Sequence, residues 1–186
     1  MKPRLLDLFC GAGGAGMGYA RAGFDVVGVD KEPQGSYPFE FHQADALEYL
    51  KAHWQEFDVI HASPPCQSYT NIRKLVEARL GKQDYPDLVE PTRNALRATG
   101  KLYIIENVPG APLKNPIVLC GVMFDLKVFR HRLFETSFPV LAPVHKRHPR
   151  NSTTNAYRGQ SAFEFGATHI NVCGANFRFD DAKIAM

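Results

Sequence analysis

Short apolar runs, each stopped by glycine, proline or an acid, dominate the first two thirds of the chain. Arg4–Phe9, Asp25–Asp30, Val59–Ala62 and Lys101–Val108 are such runs, and each predicts a buried strand. Phe39–His42 predicts a short further strand before Asp45, and Ile117–Phe124 and Leu133–Phe138 predict two more. Between them lie helical patterns. Met17, Tyr19, Ala20 and Ala22 continue a helix that Gly23 ends. Ala46–Trp54 carries Leu47 and Leu50 one helical turn apart, and Asp87–Thr99 predicts a third helix. A strand, a glycine-rich turn, a helix and a strand in that order open a doubly wound α/β sheet. Ser68–Tyr85 is polar and basic (Arg73, Lys74, Arg79, Lys82) and predicts a mobile, partly helical loop. After about Pro139 the periodicity fades. His145–Arg150 is basic and Asn151–Gln160 is polar, which predicts a loop-rich insertion without a core of its own.

Composition narrows this picture only slightly. A chain of 186 residues with 45% hydrophobic content is long enough for one domain with a real core. A net charge of +3 permits a nucleic-acid partner without demanding one. No apolar run approaches the ~20 residues of a membrane span. Cys10, Cys66, Cys120 and Cys173 are widely spaced and form no C-x-x-C pair. With no signal-peptide pattern at the start, reduced thiols and a cytoplasmic location are expected. The spacing of Cys120, His131, His145, His148 and Cys173 matches no common zinc pattern, so no metal is expected.

Two stretches carry candidate chemistry. Gly11, Gly13 and Gly16 satisfy G-x-G-x-x-G, and Asp30 ends the next strand near the offset of a ribose-binding acid. The pattern admits a dinucleotide such as NAD, S-adenosylmethionine, or a tight turn with no ligand. Phe9, placed to lie against an adenine or a sulfonium, and Asp45, placed to accept from an adenine amino group, favour S-adenosylmethionine. The second stretch is Val59-Ile60-His61-Ala62-Ser63-Pro64-Pro65-Cys66-Gln67. Two prolines stop the strand, because they lack N–H donors, and a cysteine follows at the strand's C-terminal end. That cysteine is either a nucleophile on a stiff support or a half-buried structural thiol.

Asp7-Leu8-Phe9-Cys10-Gly11-Ala12-Gly13-Gly14, Pro64-Pro65-Cys66-Gln67, Glu106-Asn107-Val108 and Arg130-His131-Arg132 occur in this order. Together they resemble the DNA (cytosine-5)-methyltransferase family over roughly residues 4–138. The resemblance implies a Rossmann-like sheet with helices on both faces, S-adenosylmethionine as donor with S-adenosylhomocysteine as product, and a cytosine flipped from double-stranded DNA. It also implies the site. Phe9, Gly11, Gly13, Gly14, Asp30, Asp45 and Pro65 fall on cofactor-binding positions. Cys66 falls on the nucleophile, Glu106 on the acid that meets the base, and Arg130 and Arg132 on the paired arginines that follow. The implied division is a catalytic and cofactor-binding region at 1–138, a short target-recognition insertion at 139–170, and a return segment at 171–186.

There are departures from the family pattern. Val128 stands where the family usually has Gln, and the target-recognition region is very short. No helix returning to the cofactor pocket is recognisable before Met186. An incomplete return segment, apolar surface exposed beside Met17 and Phe9, and self-association are therefore expected. A restriction endonuclease is a possible partner. The alternatives are a catalytically weak DNA-binding relative, an RNA cytosine-5 methyltransferase and, from another class, an NAD-dependent oxidoreductase.

Overall fold

Five of the expected strands lie side by side and parallel. The computed structural model describes residues 1–69, 85–126 and 128–145, with the strands Ser152–Thr153 and His169–Asn171. The chain divides into two units, Met1–Pro116 with Phe134–Val140, and Ile117–Leu133 with Leu141–Met186.

In the first unit the strands are β1 (Arg4–Leu8), β2 (Asp25–Asp30), β3 (Glu40–Gln43), β4 (Val59–Ala62) and β5 (Leu102–Asn107). Their spatial order is β3-β2-β1-β4-β5, all parallel. The end of β8 (Arg132–Thr136) lies beside β5. There, the Ser137 N–H donates to the Tyr103 carbonyl at 3.1 Å. The helices are α1 (Gly14–Arg21), α2 (Ala46–His53) and α3 (Val89–Thr99). This is a doubly wound, Rossmann-like α/β sheet.

The alternation of side chains along each strand sorts them to two faces. Leu6, Leu8, Val27, Val29, Ile60, Ala62, Tyr103 and Ile105 form the main core with Ala46 and Leu50 of α2 and Leu96 of α3. Residues of the opposite parity meet α1. The Tyr19 hydroxyl is 3.0 Å from His61 Nδ1, and Gly16 lies against Asp7. Right-handed crossovers produce this arrangement, because the connection through α1 crosses the strand order toward β3 while those through α2 and α3 cross it toward β5.

Helix ends follow ordinary capping chemistry. Asp45 Oδ1 accepts the N–H groups of Leu47 (2.9 Å) and Glu48 (3.1 Å), satisfying two orphan donors of α2. Gly100, at φ 68°, closes α3.

Arg93 on α3 is fully buried, which its sequence context did not suggest. Its guanidinium donates to both Glu135 oxygens at 2.8–3.1 Å and to the Pro112 carbonyl at 2.7 Å, and it pairs with Glu90. Burial alone raises the Glu135 carboxyl. The Arg93 hydrogen bonds and the Lys114 N–H outweigh it and hold the group below its ordinary range.

The second unit begins with β6 (Ile117–Leu119), followed by a 3-10 turn at Gly121–Phe124 and β7 (Val128–Phe129). The expected strand Ile117–Phe124 therefore stops early, because Cys120 caps the turn with its side chain. A Cβ on Gly121 would sit 2.3 Å from the Val128 carbonyl, so only glycine lets β7 pass this close. β7 pairs in parallel with β10 (His169–Asn171), which pairs with β9 (Ser152–Thr153). Among the described residues, no helix is long and apolar enough to cross a membrane.

Candidate active site

β1 and β4 are neighbours, with β2 beyond one and β5 beyond the other. The connections leaving their C-terminal ends diverge, and this switch point is where open α/β sheets place ligands. Both candidate stretches end here.

The wall after β1 is a run of left-handed backbone. Phe9 (φ 56°), Gly11 (φ 50°) and Gly13 (φ 89°) all have positive φ. For an aromatic residue this conformation is strained, and strain of this kind concentrates at ligand sites. Asp30, at the end of β2, braces the turn. Its Oδ2 accepts the Gly11 N–H at 3.0 Å, and its Oδ1 accepts the Glu32 N–H at 3.0 Å. A carboxylate has about four acceptor sites, so each oxygen retains capacity for one more donor.

The glycines do different work. No atom lies within 4 Å of a Cβ built on Gly11 or Gly14, so their backbone faces open space. A Cβ on Gly13 would meet Pro38 at 2.8 Å, one on Gly16 the Tyr37 hydroxyl at 2.8 Å, and one on Gly28 the Tyr37 ring at 2.2 Å. Much of the glycine pattern thus accommodates Tyr37, whose hydroxyl donates to Asp7 Oδ2 at 3.2 Å.

Two acids and a thiol near this turn are displaced from ordinary behaviour or engaged elsewhere. Burial, partly offset by the hydrogen bonds from Tyr37 and the Gly16 backbone and reinforced by Asp30, raises Asp7 to about 7. Cys10 is buried, and burial with the charges of Asp7 and Asp30 pushes its thiol up to about 12. Asp45 is exposed, with Oδ1 engaged in capping α2, which leaves Oδ2 for a ligand.

The wall after β4 is built on the two prolines. Ser63 N–H donates to the Leu8 carbonyl at 3.1 Å, continuing the register of β1 and β4 by one residue. Pro64 is buried, and Pro65 and Cys66 are half-buried. The buried Asn107 at the end of β5 donates from Nδ2 to the Pro64 carbonyl at 2.9 Å, while its Oδ1 accepts the Val108 N–H at 2.8 Å. One side chain therefore ties the loop bearing Cys66 to the strand bearing Glu106. Glu106 is half-buried, one residue past Ile105, which pairs with Ala62. Tyr69 N–H closes a 3-10 turn on the Cys66 carbonyl at 3.0 Å, and the Tyr69 carbonyl packs against Gly110.

His61 supports this loop from below. Its Nδ1 faces Tyr19 and its Nε2 lies 2.8 Å from the Ser63 hydroxyl, and burial lowers it to about 4, so it is neutral. The expected basic loop falls largely on residues 70–84, which lie outside the described residues. Its flanks are joined, with Ser68 Oγ donating to the Tyr85 carbonyl at 2.8 Å and the Tyr69 hydroxyl donating to Asp87.

The structure thus brings Phe9, Gly11, Gly13, Gly14, Asp30, Pro65, Cys66 and Glu106 to the C-terminal edge of adjoining strands. Arg130, exposed after β7, and Arg132, which donates to the His131 carbonyl at 2.9 Å, belong to the second unit. Asp7, Tyr37 and His61 were not singled out from the sequence. A polar residue inside an apolar strand run marks two of them, Asp7 and His61.

The family model for C-5 cytosine-specific DNA methylases matches residues 3–116. The chain belongs to this family. The matched region holds both walls of the site and stops before Arg130 and Arg132. The type II methyltransferase M.AquIA of Picosynechococcus sp. is 30% identical over 128 residues, covering 59% of this chain and 50% of that protein. M.FnuDI of Fusobacterium nucleatum is 34% identical over 118 residues, 58% of this chain and 33% of that protein. The chain thus spans between a third and a half of the length of these curated relatives. The crystal structure of S. pombe Dnmt2 methyltransferase superposes with a TM-score of 0.45 at 17% identity, over 76% of this chain and 52% of that one.

Proposed function

We propose that this C5 methylase transfers a methyl group from S-adenosylmethionine to C5 of a cytosine flipped out of duplex DNA, through a covalent bond from Cys66. One observation carries the reading: Asn107 Nδ2 holds the Pro64 carbonyl at 2.9 Å. This joins the cysteine loop to the Glu106 strand beside a strained, open glycine turn. Family membership favours methyl transfer over the NAD-dependent alternative.

The turn suits the donor. Gly11 and Gly14 offer backbone with no side chain above it, Phe9 offers an aromatic edge, and Asp30 keeps one acceptor site on each oxygen for ribose hydroxyls. Bound there, S-adenosylmethionine supplies the electrophilic methyl that an activated C5 takes.

The residues of the other wall activate the base. Cytosine C5 is a poor nucleophile. The Cys66 thiolate adds to C6, breaks the ring's conjugation and leaves C5 an enamine carbon. Glu106 carries a proton at N3, so that negative charge does not build on the ring; partial burial at a strand end suits a carboxyl to that role. After methylation, loss of the C5 proton to a base or a water restores the double bond and expels Cys66. Arg130 and Arg132 hold cytosine O2 or a flanking phosphate. Extrusion of the base costs a few kcal/mol, which contacts to the flipped base offset.

The test uses duplex DNA containing 5-fluorocytosine together with S-adenosylmethionine. Fluorine at C5 blocks the elimination, so the wild-type chain should form a denaturation-resistant adduct and Cys66→Ser none. No wild-type adduct, or an adduct in the Ser variant, overturns the proposal.

A further inference from the structure

The second unit brings three metal-binding side chains together from three separate segments. Cys120 follows β6, His131 lies between β7 and β8, and His145 follows β8. Their ligand atoms all lie within 4.8 Å of one another. The Nε2 atoms of His131 and His145 are 3.0 Å apart, with ring centroids at 5.1 Å and planes within 14°. We propose that Cys120, His131 and His145 bind a zinc-class transition-metal ion that fastens the second unit together.

The donor set selects the metal. One thiolate and two imidazoles are borderline-soft ligands that suit Zn²⁺, and Co²⁺ as its spectroscopic substitute, whereas Ca²⁺ and Mg²⁺ require oxygen. The spacing is close to what such an ion needs. Tetrahedral Zn–S and Zn–N bonds of about 2.3 and 2.0 Å hold the donor atoms about 3.3–3.6 Å apart, within a side-chain rotation of the separations seen.

The cysteine is also oriented for the task. Its side chain accepts the Met123 N–H at the start of the 3-10 turn, while its own N–H donates to Met123 Sδ at 3.3 Å. A hydrogen bond to the ligand atom from outside the coordination sphere fixes its direction. His148 and Cys173, which the sequence places in the same region, lie outside the described residues.

The unit has a structural use for such an ion. Its core cluster among the described residues is Cys120, Val122, Met123 and Phe129, with Leu119 packed against it. Cys120 belongs to that cluster, and His131 and His145 come from two other segments, so one ion would cross-link all three.

Chelator-treated full-length chain titrated with Co²⁺ tests the proposal. The expected result is one equivalent bound, with ligand-field bands of tetrahedral intensity and a thiolate-to-cobalt charge-transfer band. Cys120→Ser should abolish the charge-transfer band, whereas Cys66→Ser should keep it. His145→Ala, at an exposed position that leaves the core intact, should weaken Co²⁺ by more than about tenfold, the loss that even an outer-sphere change causes. Zinc should raise the melting temperature of the wild-type chain and not of His145→Ala. If the two imidazoles merely share a proton, no stoichiometric cobalt binds, and the proposal fails. It fails equally if the charge-transfer band survives in Cys120→Ser.

Discussion

The loops after β1 and β4 leave neighbouring parallel strands, and each carries a cysteine within a few residues of its strand's end. They treat that cysteine in opposite ways. The β1 loop turns inward through left-handed backbone, buries Cys10 and surrounds it with the carboxyls of Asp7 and Asp30, which oppose a thiolate. The β4 loop is stiffened by Pro64 and Pro65, which cannot extend the ladder, and it leaves Cys66 half-buried at the edge. Two thiols of equal intrinsic chemistry therefore become a buried packing group and a candidate nucleophile. Burial and neighbouring charge make the difference. The same contrast separates the two walls: the β1 side presents backbone and a carboxylate with spare acceptor capacity, and the β4 side presents the half-buried Cys66.

Alkylation probes this contrast most strongly. With Cys10 raised to about 12, its thiolate fraction at neutral pH is about 10³-fold below that of a free thiol near 8.5. Peptide mapping after limited iodoacetamide treatment should find Cys66 modified long before Cys10. Comparable labelling of the two in the folded chain would break the comparison. Next in size is Glu106→Gln, which keeps the shape and removes the titrating proton. Single-turnover methyl transfer should fall by on the order of 10²–10⁴-fold, with S-adenosylmethionine affinity little changed. Unaltered turnover would mean that N3 is met elsewhere.

On the β1 side the expected effects are on stability and affinity. Asp7 is raised from 3.8 to about 7 in the fold. A raised folded value means that the stability this group contributes is present in full below about pH 4 and is lost as pH rises through about 7. By linkage the loss reaches at most about 4 kcal/mol. Asp7→Asn should therefore melt higher than the wild type above pH 7 and converge with it near pH 4, as thermal melts across that range would reveal. Parallel melting profiles for the two proteins would contradict a buried, titrating Asp7. Asp30→Ala is the smallest effect. Loss of charge-assisted hydrogen bonds worth roughly 1.5–3 kcal/mol should weaken S-adenosylmethionine by about one to two decades by calorimetry, and leave Cys66 alkylation unchanged. Equal affinity would move the cofactor away from the glycine turn.

Most of the first unit was legible in the chain. β2 coincides with the apolar run Asp25–Asp30, and α2 begins at Ala46, where the helical pattern Ala46–Trp54 starts. The region 117–133 was less so. Its expected strand ends at Leu119, and a 3-10 turn at Gly121–Phe124 replaces the rest of it. Short elements such as β7, at Val128–Phe129, bury too few residues to leave a periodic signal.

The linear order of apolar runs, glycines and prolines was enough to determine a doubly wound sheet, the turn after β1 and the cysteine after β4. These depend on local sterics and on the period of burial, both of which a sequence displays. Tertiary packing alone decided which glycines face open space and which make room for Tyr37. It also decided that Cys10 is buried beside two carboxyls, that Arg93 is buried on Glu135, and that Asn107 clamps Pro64. The longest of these reach across tens of residues, with Tyr37 and Asp7 at a separation of 30, Arg93 and Glu135 at 42 and Asn107 and Pro64 at 43. The gathering of Cys120, His131 and His145 is of the same kind. Their spacing fits no ligand pattern, because the loops that close the distance are set by the folding of β6, β7 and β8 and not by a repeat in the chain.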